Sequence, residues 1–193
     1  MESMDKVKDL LRKIYGEETV SPALDRIAPI IEKYTANKRK KESYFSQEDV
    51  VLITYGDSLK KDGEAPLATL HEFANRYLKD AVSNIHFLPF FPYSSDDGFS
   101  VMDFFEIDPE LGTWQEVVSI GQDFELMFDY VVNHYSSKGQ WFQNYLGGKD
   151  GFTEFAMEVD PATDLSMVTR PRSLPLLSEY QKKDDQTVHL WTT

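Results

Sequence analysis

The stretches FLPFFPYSSDDGFSVMDFF (residues 87–105) and FELMFDYVVNH (residues 124–134) decide the fold class of this chain. Each begins as a short apolar run and ends in carboxylate, amide or imidazole side chains. In an α/β chain this pattern is typical of buried parallel strands whose carboxyl ends carry polar groups. A (β/α)8 barrel builds its active site at those strand ends, so the pattern predicts part of such a barrel.

The neighbouring segments extend this into an alternating pattern of strands and helices. VVLITY (residues 50–55) predicts a first buried strand, and residues 84–89 and 124–132 predict two more. Helical spacing of apolar residues predicts connecting helices at 66–79 and 113–120. The βαβαβ order predicts an α/β fold with a parallel sheet and right-handed crossovers.

Residues 1–48 predict a helical extension without a polar cluster that could support chemistry. A first amphipathic helix is expected at 5–15. A second is expected to open at Ser21 as N-cap, with Pro22 at its first helical position. Pro29 should kink or restart that helix.

After His134 the alternation stops, and residues 135–193 contain scattered aromatic and proline residues without a clear helix. An insertion after the third strand explains this most simply, and VHLWTT (residues 188–193) is expected to approach a fourth strand. The predicted domains are therefore 1–48, 49–134 and 135–193. Three barrel strands would leave an exposed sheet edge and an uncovered apolar face, which predicts poor solubility or oligomerisation.

Composition narrows the possible functions. The net charge of −13 comes entirely from residues 51–193, because residues 1–50 contain ten basic and ten acidic side chains. An acidic body argues against nucleic acid and suits a neutral, hydroxyl-rich ligand. The basic run at 38–41 is expected to be a solvated helix end. The chain has no cysteine, no signal peptide pattern and no apolar stretch long enough to span a membrane, so a cytoplasmic protein without a membrane partner is expected.

The polar run at residues 94–98 is the first candidate site. Carboxylates accept hydrogen bonds from sugar hydroxyls, and aromatic faces pack against the C–H face of a pyranose. The alternative is a capped acidic loop over an aromatic core. The flanking aromatic residues are Phe90, Phe91, Tyr93 and Phe99.

Asp129, Asn133 and His134 form the second candidate site, at the end of the third predicted strand. Strand alternation would place Asp129 and Asn133 on one side and His134 on the other. His134 could be a structural hydrogen-bonding group or a catalytic one. Asp129 and His134 could equally be a pair in which the carboxylate orients the imidazole.

Three motifs carry a resemblance to a known family. ITYGDSL (residues 53–59), the stretch at 87–104 and FDYVVNH (residues 128–134) resemble the sucrose phosphorylase branch of glycoside hydrolase family 13, the α-amylase family. SSDDGFSV (residues 94–101) is most similar to sugar phosphorylases that act on glucosylglycerate, which also have a helical extension like residues 1–48. The resemblance implies an incomplete (β/α)8 TIM barrel of three strands, with that extension and part of an inserted B domain.

The resemblance also implies roles for individual residues. Asp96 would bind the far hydroxyls of a glucosyl unit, Phe99 would lie beneath the developing oxocarbenium ion, and His134 would bind the 6-hydroxyl. Arg172, in an Arg-Pro-Arg element, would face phosphate or a carboxylated acceptor. The residues expected to support these groups are Asp97, Asp129, Asn133 and Arg170.

The implied activity is that of a retaining α-glucoside phosphorylase, which transfers a glucosyl unit to phosphate and gives α-glucose 1-phosphate. Phosphate is the co-substrate, and neither an organic cofactor nor a metal is expected. Thr169 stands where sucrose phosphorylases have an aromatic residue, which favours glucosylglycerate over sucrose. The nucleophile and acid/base of the double displacement are expected beyond Thr193, so the 193-residue chain alone is expected to be inactive.

Two other functions stay open: an α-amylase-family hydrolase or transglucosidase, and a truncated, non-catalytic sugar-binding or interaction protein. A requirement for phosphate would separate the phosphorylase from the first of these. The sequence does not determine the oligomeric state.

Overall fold

A computed structural model describes residues 2–35, 45–169 and 174–192 of the chain. The chain divides into two compact units, Met1–Ser46 and Gln47–Thr193. None of the helices in the described ranges is both long enough and apolar enough to cross a membrane.

The first unit contains two helices, α1 (Glu2–Tyr15) and α2 (Glu17–Thr35), which pack against each other. Gly16 separates them with a φ of 84°, a left-handed value that glycine adopts at helix ends. Its N–H donates to the carbonyl of Arg12 at 3.0 Å and so ends α1. The basic run at 38–41 lies outside the described residues.

The predicted start of the second helix at Ser21 is wrong. Helix α2 begins four residues earlier, at Glu17, and continues through Pro22 and Pro29 without a restart. Glu17 and Glu18 occupy its first turn, where negative charge is favourable next to the positive end of the helix dipole. This electrostatic gain supports an earlier start than the Ser-Pro signal predicted.

The second unit opens with the predicted alternation of strands and helices. Its elements are β1 (Val51–Thr54), α3 (Pro66–Tyr77), β2 (Asn84–Phe87), α4 (Trp114–Asp123) and β3 (Glu125–Phe128). The three strands form a parallel sheet in the order β1-β2-β3, as the βαβαβ pattern predicts. Each strand is shorter than expected, and β3 ends four residues before the predicted boundary at residue 132.

One face of this sheet packs against α3 and α4. Ile85 and Phe87, at the centre of the sheet, are fully buried there. The helices contribute the apolar side chains that cover this face, which are Leu67, Leu70, Ala74, Val117 and Ile120. Burial of this cluster is the main source of stability that positions the strand ends.

The opposite face of the sheet is open. Val51, Ile53 and Met127 alternate with the buried positions, and they are 43, 61 and 47% exposed. The sequence predicted buried strands, and that prediction is wrong for this face of β1 and β3. The expected uncovered apolar face is present.

Residues after the sheet form a smaller packed region. It contains helix α5 (Gln140–Leu146), which the sequence did not predict, and an antiparallel hairpin of β4 (Leu177–Gln181) and β5 (Thr187–Trp191). Phe142, Tyr145, Val188 and Leu190 form its core. Residues 188–191 of the VHLWTT segment therefore pair with β4. The expectation that this segment leads to a fourth strand of the parallel sheet stays a prediction.

Candidate functional site

The candidate site lies where the loop after β2 meets the segment after β3. The loop forms a tight 3-10 turn at Asp96–Gly98, in which all three residues have positive φ values of 60, 49 and 99°. Backbone hydrogen bonds close the turn. The N–H of Phe99 donates to the Asp96 carbonyl at 3.0 Å, and the N–H of Ser94 donates to the Ser100 carbonyl at 3.0 Å.

This turn requires glycine at its last position. A Cβ atom on Gly98 would lie 2.9 Å from the carbonyl oxygen of Pro89, and the φ of 99° disfavours any other residue. Asp96 and Asp97 also have left-handed φ values, which cost about 1–3 kcal/mol each outside glycine and persist where the surroundings impose them. The side chains of both aspartates are exposed, so the turn presents two carboxylates to solvent.

His134 joins the segment after β3 to this turn. Its Nε2 lies 3.0 Å from the carbonyl oxygen of Phe99, and its Nδ1 lies 2.8 Å from the side-chain nitrogen of Asn133. Because the Asn133 nitrogen can only donate, Nδ1 accepts, and Nε2–H donates to Phe99. The structure thus brings together Phe99, Asn133 and His134, as expected from their positions after neighbouring parallel strands.

A pair of serines, which the sequence did not single out as a pair, reinforces this junction. The Ser94 and Ser136 hydroxyls are 2.6 Å apart, and the Ser136 N–H donates to the Val101 carbonyl at 2.9 Å. Ser136 is 5% exposed, so this contact is protected from water. Serine is common in loops, and nothing in the local sequence marked Ser136 as a long-range partner.

Asp129 does not pair with His134. The interpretation in which the Asp129 carboxylate orients the His134 imidazole is therefore wrong. Strand β3 ends at Phe128, so the strict alternation expected from 129 to 134 does not apply. The Asp129 Oδ1 instead lies 3.3 Å from Nε2 of His86 in β2. Sequence reasoning missed His86, although a polar residue between the apolar Ile85 and Phe87 was a usable signal.

The aromatic residues around the turn divide between core and surface. Phe90 is 2% exposed and packs edge-on against Phe87 and Trp114, with ring centroids 6.0 and 5.9 Å apart, so it belongs to the core. Tyr93 is 46% exposed. Phe99 is half-buried and remains available as an apolar surface beside the carboxylates.

Burial also acts on Tyr135, which follows His134. Desolvation raises the pKa of its phenol, and the hydroxyl donates a hydrogen bond to the Met102 carbonyl. The ring of Tyr135 stacks on Trp141 of α5 with centroids 5.4 Å apart. This contact links the candidate site to the packed region that contains α5.

Two predicted site residues, Arg170 and Arg172, lie outside the described residues. In the described part of the chain, no three His, Asp or Glu side chains lie close enough together to hold a metal ion. The turn after β2 and the segment after β3 meet at one junction. The site residues at this junction are Asp96, Asp97, Phe99, Asn133 and His134, and Asp129 lies at the start of the same segment.

A parallel sheet with polar side chains beyond the carboxyl ends of adjacent strands is the arrangement of many α/β enzymes. The model of the alpha-amylase catalytic domain matches residues 75–184, more than half of the chain. The chain therefore belongs to the α-amylase catalytic domain family.

Within this family, the chain is similar to several individual curated proteins. The chain is 45% identical over 190 residues to "Glucosylglycerate phosphorylase" from Escherichia coli (strain K12). This alignment covers 97% of this chain and 34% of the relative. It is 34% identical over 153 residues to "Sucrose phosphorylase" from Streptococcus mutans, covering 74% of this chain and 31% of that protein. The chain thus spans about a third of the length of the curated relatives it matches.

A solved structure shows the same similarity in three dimensions. The crystal structure of sucrose 6F-phosphate phosphorylase from Thermoanaerobacter thermosaccharolyticum superposes with a TM-score of 0.68 at 29% sequence identity. The match covers 78% of this chain and 32% of that one.

Proposed function

We propose that this chain is part of a retaining α-glucoside phosphorylase, which transfers a glucosyl unit to inorganic phosphate and releases α-glucose 1-phosphate. Glucosylglycerate is the favoured donor, ahead of sucrose. The observation that carries the proposal is the 45% identity to a glucosylglycerate phosphorylase over 97% of the chain. The lower identity of 34% to a sucrose phosphorylase supports the order of the two donors.

The same proposal assigns the chain its place in the enzyme. Residues 49–134 would supply the first three strands of a (β/α)8 barrel, residues 1–48 a helical extension, and residues 135–193 part of the inserted B domain. Retaining chemistry uses a carboxylate nucleophile and a carboxylic acid on opposite sides of the scissile bond. Neither role is assigned to a carboxylate of this chain.

The turn after β2 would bind the glucosyl unit. The exposed Asp96 carboxylate would accept hydrogen bonds from the hydroxyls far from the scissile bond, and Phe99 would provide an apolar platform beneath the ring. Asp97 would support the turn. The left-handed backbone at this turn stores strain, which is typical of positions that binding chemistry requires.

His134 would bind the 6-hydroxyl of the same unit. Its Nε2–H is held by the Phe99 carbonyl at 3.0 Å, so a sugar hydroxyl would share or replace that bond. Asn133 holds Nδ1 and thereby sets which ring nitrogen carries the proton, while Asp129 would hold the start of the segment.

Arg172, supported by Arg170, would face phosphate and the acceptor. A guanidinium matches both a phosphate and the carboxylate of glycerate through paired hydrogen bonds, and this dual fit favours a carboxylated acceptor. Phosphate would be the co-substrate, without an organic cofactor.

The first test is phosphate dependence. The intact mass of the native gene product establishes which protein carries this sequence, and that protein is then incubated with glucosylglycerate or sucrose, with and without phosphate. We expect α-glucose 1-phosphate only with phosphate, and faster from glucosylglycerate. Release of free glucose at the same rate without phosphate would instead establish a hydrolase, and sugar binding without turnover would establish a non-catalytic protein.

A single substitution tests the site. Asp96→Ala should weaken glucosyl binding by about ten- to a hundredfold, since a hydrogen bond to a charged group contributes roughly 1.5–3 kcal/mol. Asp185→Ala is the matched control, because Asp185 is also exposed and has a φ of 63°, but lies in the turn between β4 and β5. Equal kinetics in the Asp96 variant and wild type would refute the role of Asp96.

A further inference from the structure

His86 lies in the middle of the sheet, on the open face. It is the third residue of β2, and in the parallel register it pairs with Ile53 of β1 and Met127 of β3. Its neighbours Ile85 and Phe87 point to the opposite face and are fully buried under the helices. A histidine at this position breaks the apolar pattern of the strand without contributing to the helix-covered core.

The imidazole contacts one charged group, the carboxylate of Asp129. The distance from Nε2 to Oδ1 is 3.3 Å, and the side chains of His86 and Asp129 are only 18 and 26% exposed. Within the described ranges, His86 Nε2 and Asp129 Oδ2 are buried atoms without a hydrogen bond. The 3.3 Å approach of the two side chains therefore lacks hydrogen-bond geometry, but it places a donor-capable ring nitrogen beside a carboxylate in partly desolvated surroundings.

Asp129 is the first residue after β3, and five residues later the chain reaches His134. The segment between them has neither helix nor strand, and Tyr130, Val132 and Asn133 are exposed. Its far end is held by the bonds of His134 and Ser136 to the turn after β2. Its near end is held by the contact between Asp129 and His86.

We infer that His86 is a positioning residue for the candidate site. By holding the Asp129 carboxylate at the open face of the sheet, it fixes the start of the segment that carries Asn133 and His134. The catalytic consequence of this anchor rests on the function proposed above, whereas the anchor itself does not. Small displacements of groups that bind a substrate are enough to reduce turnover by about 10²-fold.

The test compares two His–Asp pairs of similar burial. His86→Leu removes the anchor, and His86→Gln keeps an amide that can donate to Asp129. The matched control is His71→Leu, because His71 lies 2.9 Å from Asp123 with side chains 22 and 26% exposed, but on the helical layer. The ring nitrogen signals of His134 are recorded by NMR for each variant, and kcat/KM for phosphorolysis is measured in parallel.

We expect His86→Leu to shift the His134 ring signals and to lower kcat/KM by about 10- to 100-fold, with substantial recovery in His86→Gln. His71→Leu should leave both quantities close to wild type, whatever its effect on stability. Unchanged His134 signals in a folded His86→Leu protein would overturn the inference. If His86→Leu does not fold, unchanged signals and kcat/KM in Asp129→Leu overturn it equally, because leucine cannot accept a hydrogen bond from His86.

The experiment distinguishes failure of the proposed function from failure of the positioning role. If wild type shows no phosphorolysis, the proposed function fails, and the His134 signals alone decide the positioning role. If wild type is active and the signals move without any loss of kcat/KM, the anchor is supported and its catalytic consequence is overturned.

Discussion

The two faces of the three-stranded sheet differ sharply in burial. The helix-covered face is almost entirely apolar, whereas the open face carries Asn84, His86 and Glu125 beside apolar side chains. On the face that packs against α3 and α4, Ile85 and Phe87 are fully buried. On the other face, Ile53 and Val51 are 61 and 43% exposed, and the contact between His86 and Asp129 lies among them. For an apolar side chain such as that of Ile53, residue type therefore did not decide burial; the position of the packing partner did.

The difference has a simple topological cause. The strands lie side by side in chain order. With this order, right-handed crossovers place both connecting helices on the same side of the sheet. Strands of a parallel sheet nevertheless carry apolar residues on both faces, because both faces of such sheets are normally covered. The apolar side chains of the open face thus suit packing, and the helices and strands described in residues 47–192 do not cover them.

The largest loss of stability is expected from a substitution on the helix-covered face of the sheet. Phe87→Ala removes a fully buried ring that lies edge-on to Phe90 at 6.0 Å, and should lower the free energy of unfolding by about 3–5 kcal/mol. Urea denaturation measures this loss. Phe105→Ala, at a ring that is 71% exposed, is the control and should cost much less. Similar losses in the two variants would mean that Phe87 is not buried under the helices as the structure has it.

A second effect is expected where the covering helices are joined. Asp123, at the end of α4, accepts hydrogen bonds from Asn75 and His71 of α3 at 2.9 Å each, and from Lys79, just after α3, at 3.0 Å. These three donors, with Asn75 contributing most, hold the pKa of Asp123 well below its usual value. The ionised form is thus preferred in the folded state, so its contribution is complete above the unfolded-state pKa of about 4 and is lost as the pH falls towards the folded-state value.

Asp123→Asn should therefore destabilise the protein near pH 7, and the difference from wild type should shrink as the pH falls below about 4. Urea unfolding at both pH values measures this. Asp80→Asn, at an exposed site, is the control. A difference that stays constant with pH would show that the carboxylate charge does not join α3 to α4.

The smallest effect is expected on the open face. Ile53→Ser should change the stability of the 193-residue chain by no more than about 0.5 kcal/mol, since the side chain is 61% exposed. It should also reduce self-association in sedimentation experiments, because it interrupts the exposed apolar patch. A stability loss of about 2 kcal/mol or more would contradict this, and would mean that the face is covered in solution.

The sequence predicted the regular part of the molecule well and the irregular part poorly. The three strands and their connecting helices follow from apolar periodicity. The capping box between Thr113 and Glu116, which fixes the start of α4, was not predicted. The start of α2 was missed because a local Ser-Pro signal competed with acidic residues that favour an earlier start. Helix α5 and the β4–β5 hairpin were missed because their stability comes from one small shared core and not from strong local patterns.

The candidate site shows the same division. Asp96, Phe99, Asn133 and His134 could be named from the sequence, because polar residues after apolar strands signal functional positions. Their connection could not, since the bond of His134 to the Phe99 carbonyl spans 35 residues and that between Ser94 and Ser136 spans 42. Long-range hydrogen bonds depend on how the loops turn, which no local pattern specifies.

The sequence by itself determined the family, the parallel βαβαβ order and the residues that gather at the carboxyl ends of β2 and β3. Secondary-structure propensity, apolar periodicity and sequence motifs are short-range properties, so each can be recognised within a single segment of the chain. Only the tertiary structure decided that Asp129 meets His86 and not His134, and that one face of the sheet is covered while the other is open. Both outcomes depend on which elements pack together, and packing is set by contacts between residues far apart in the chain.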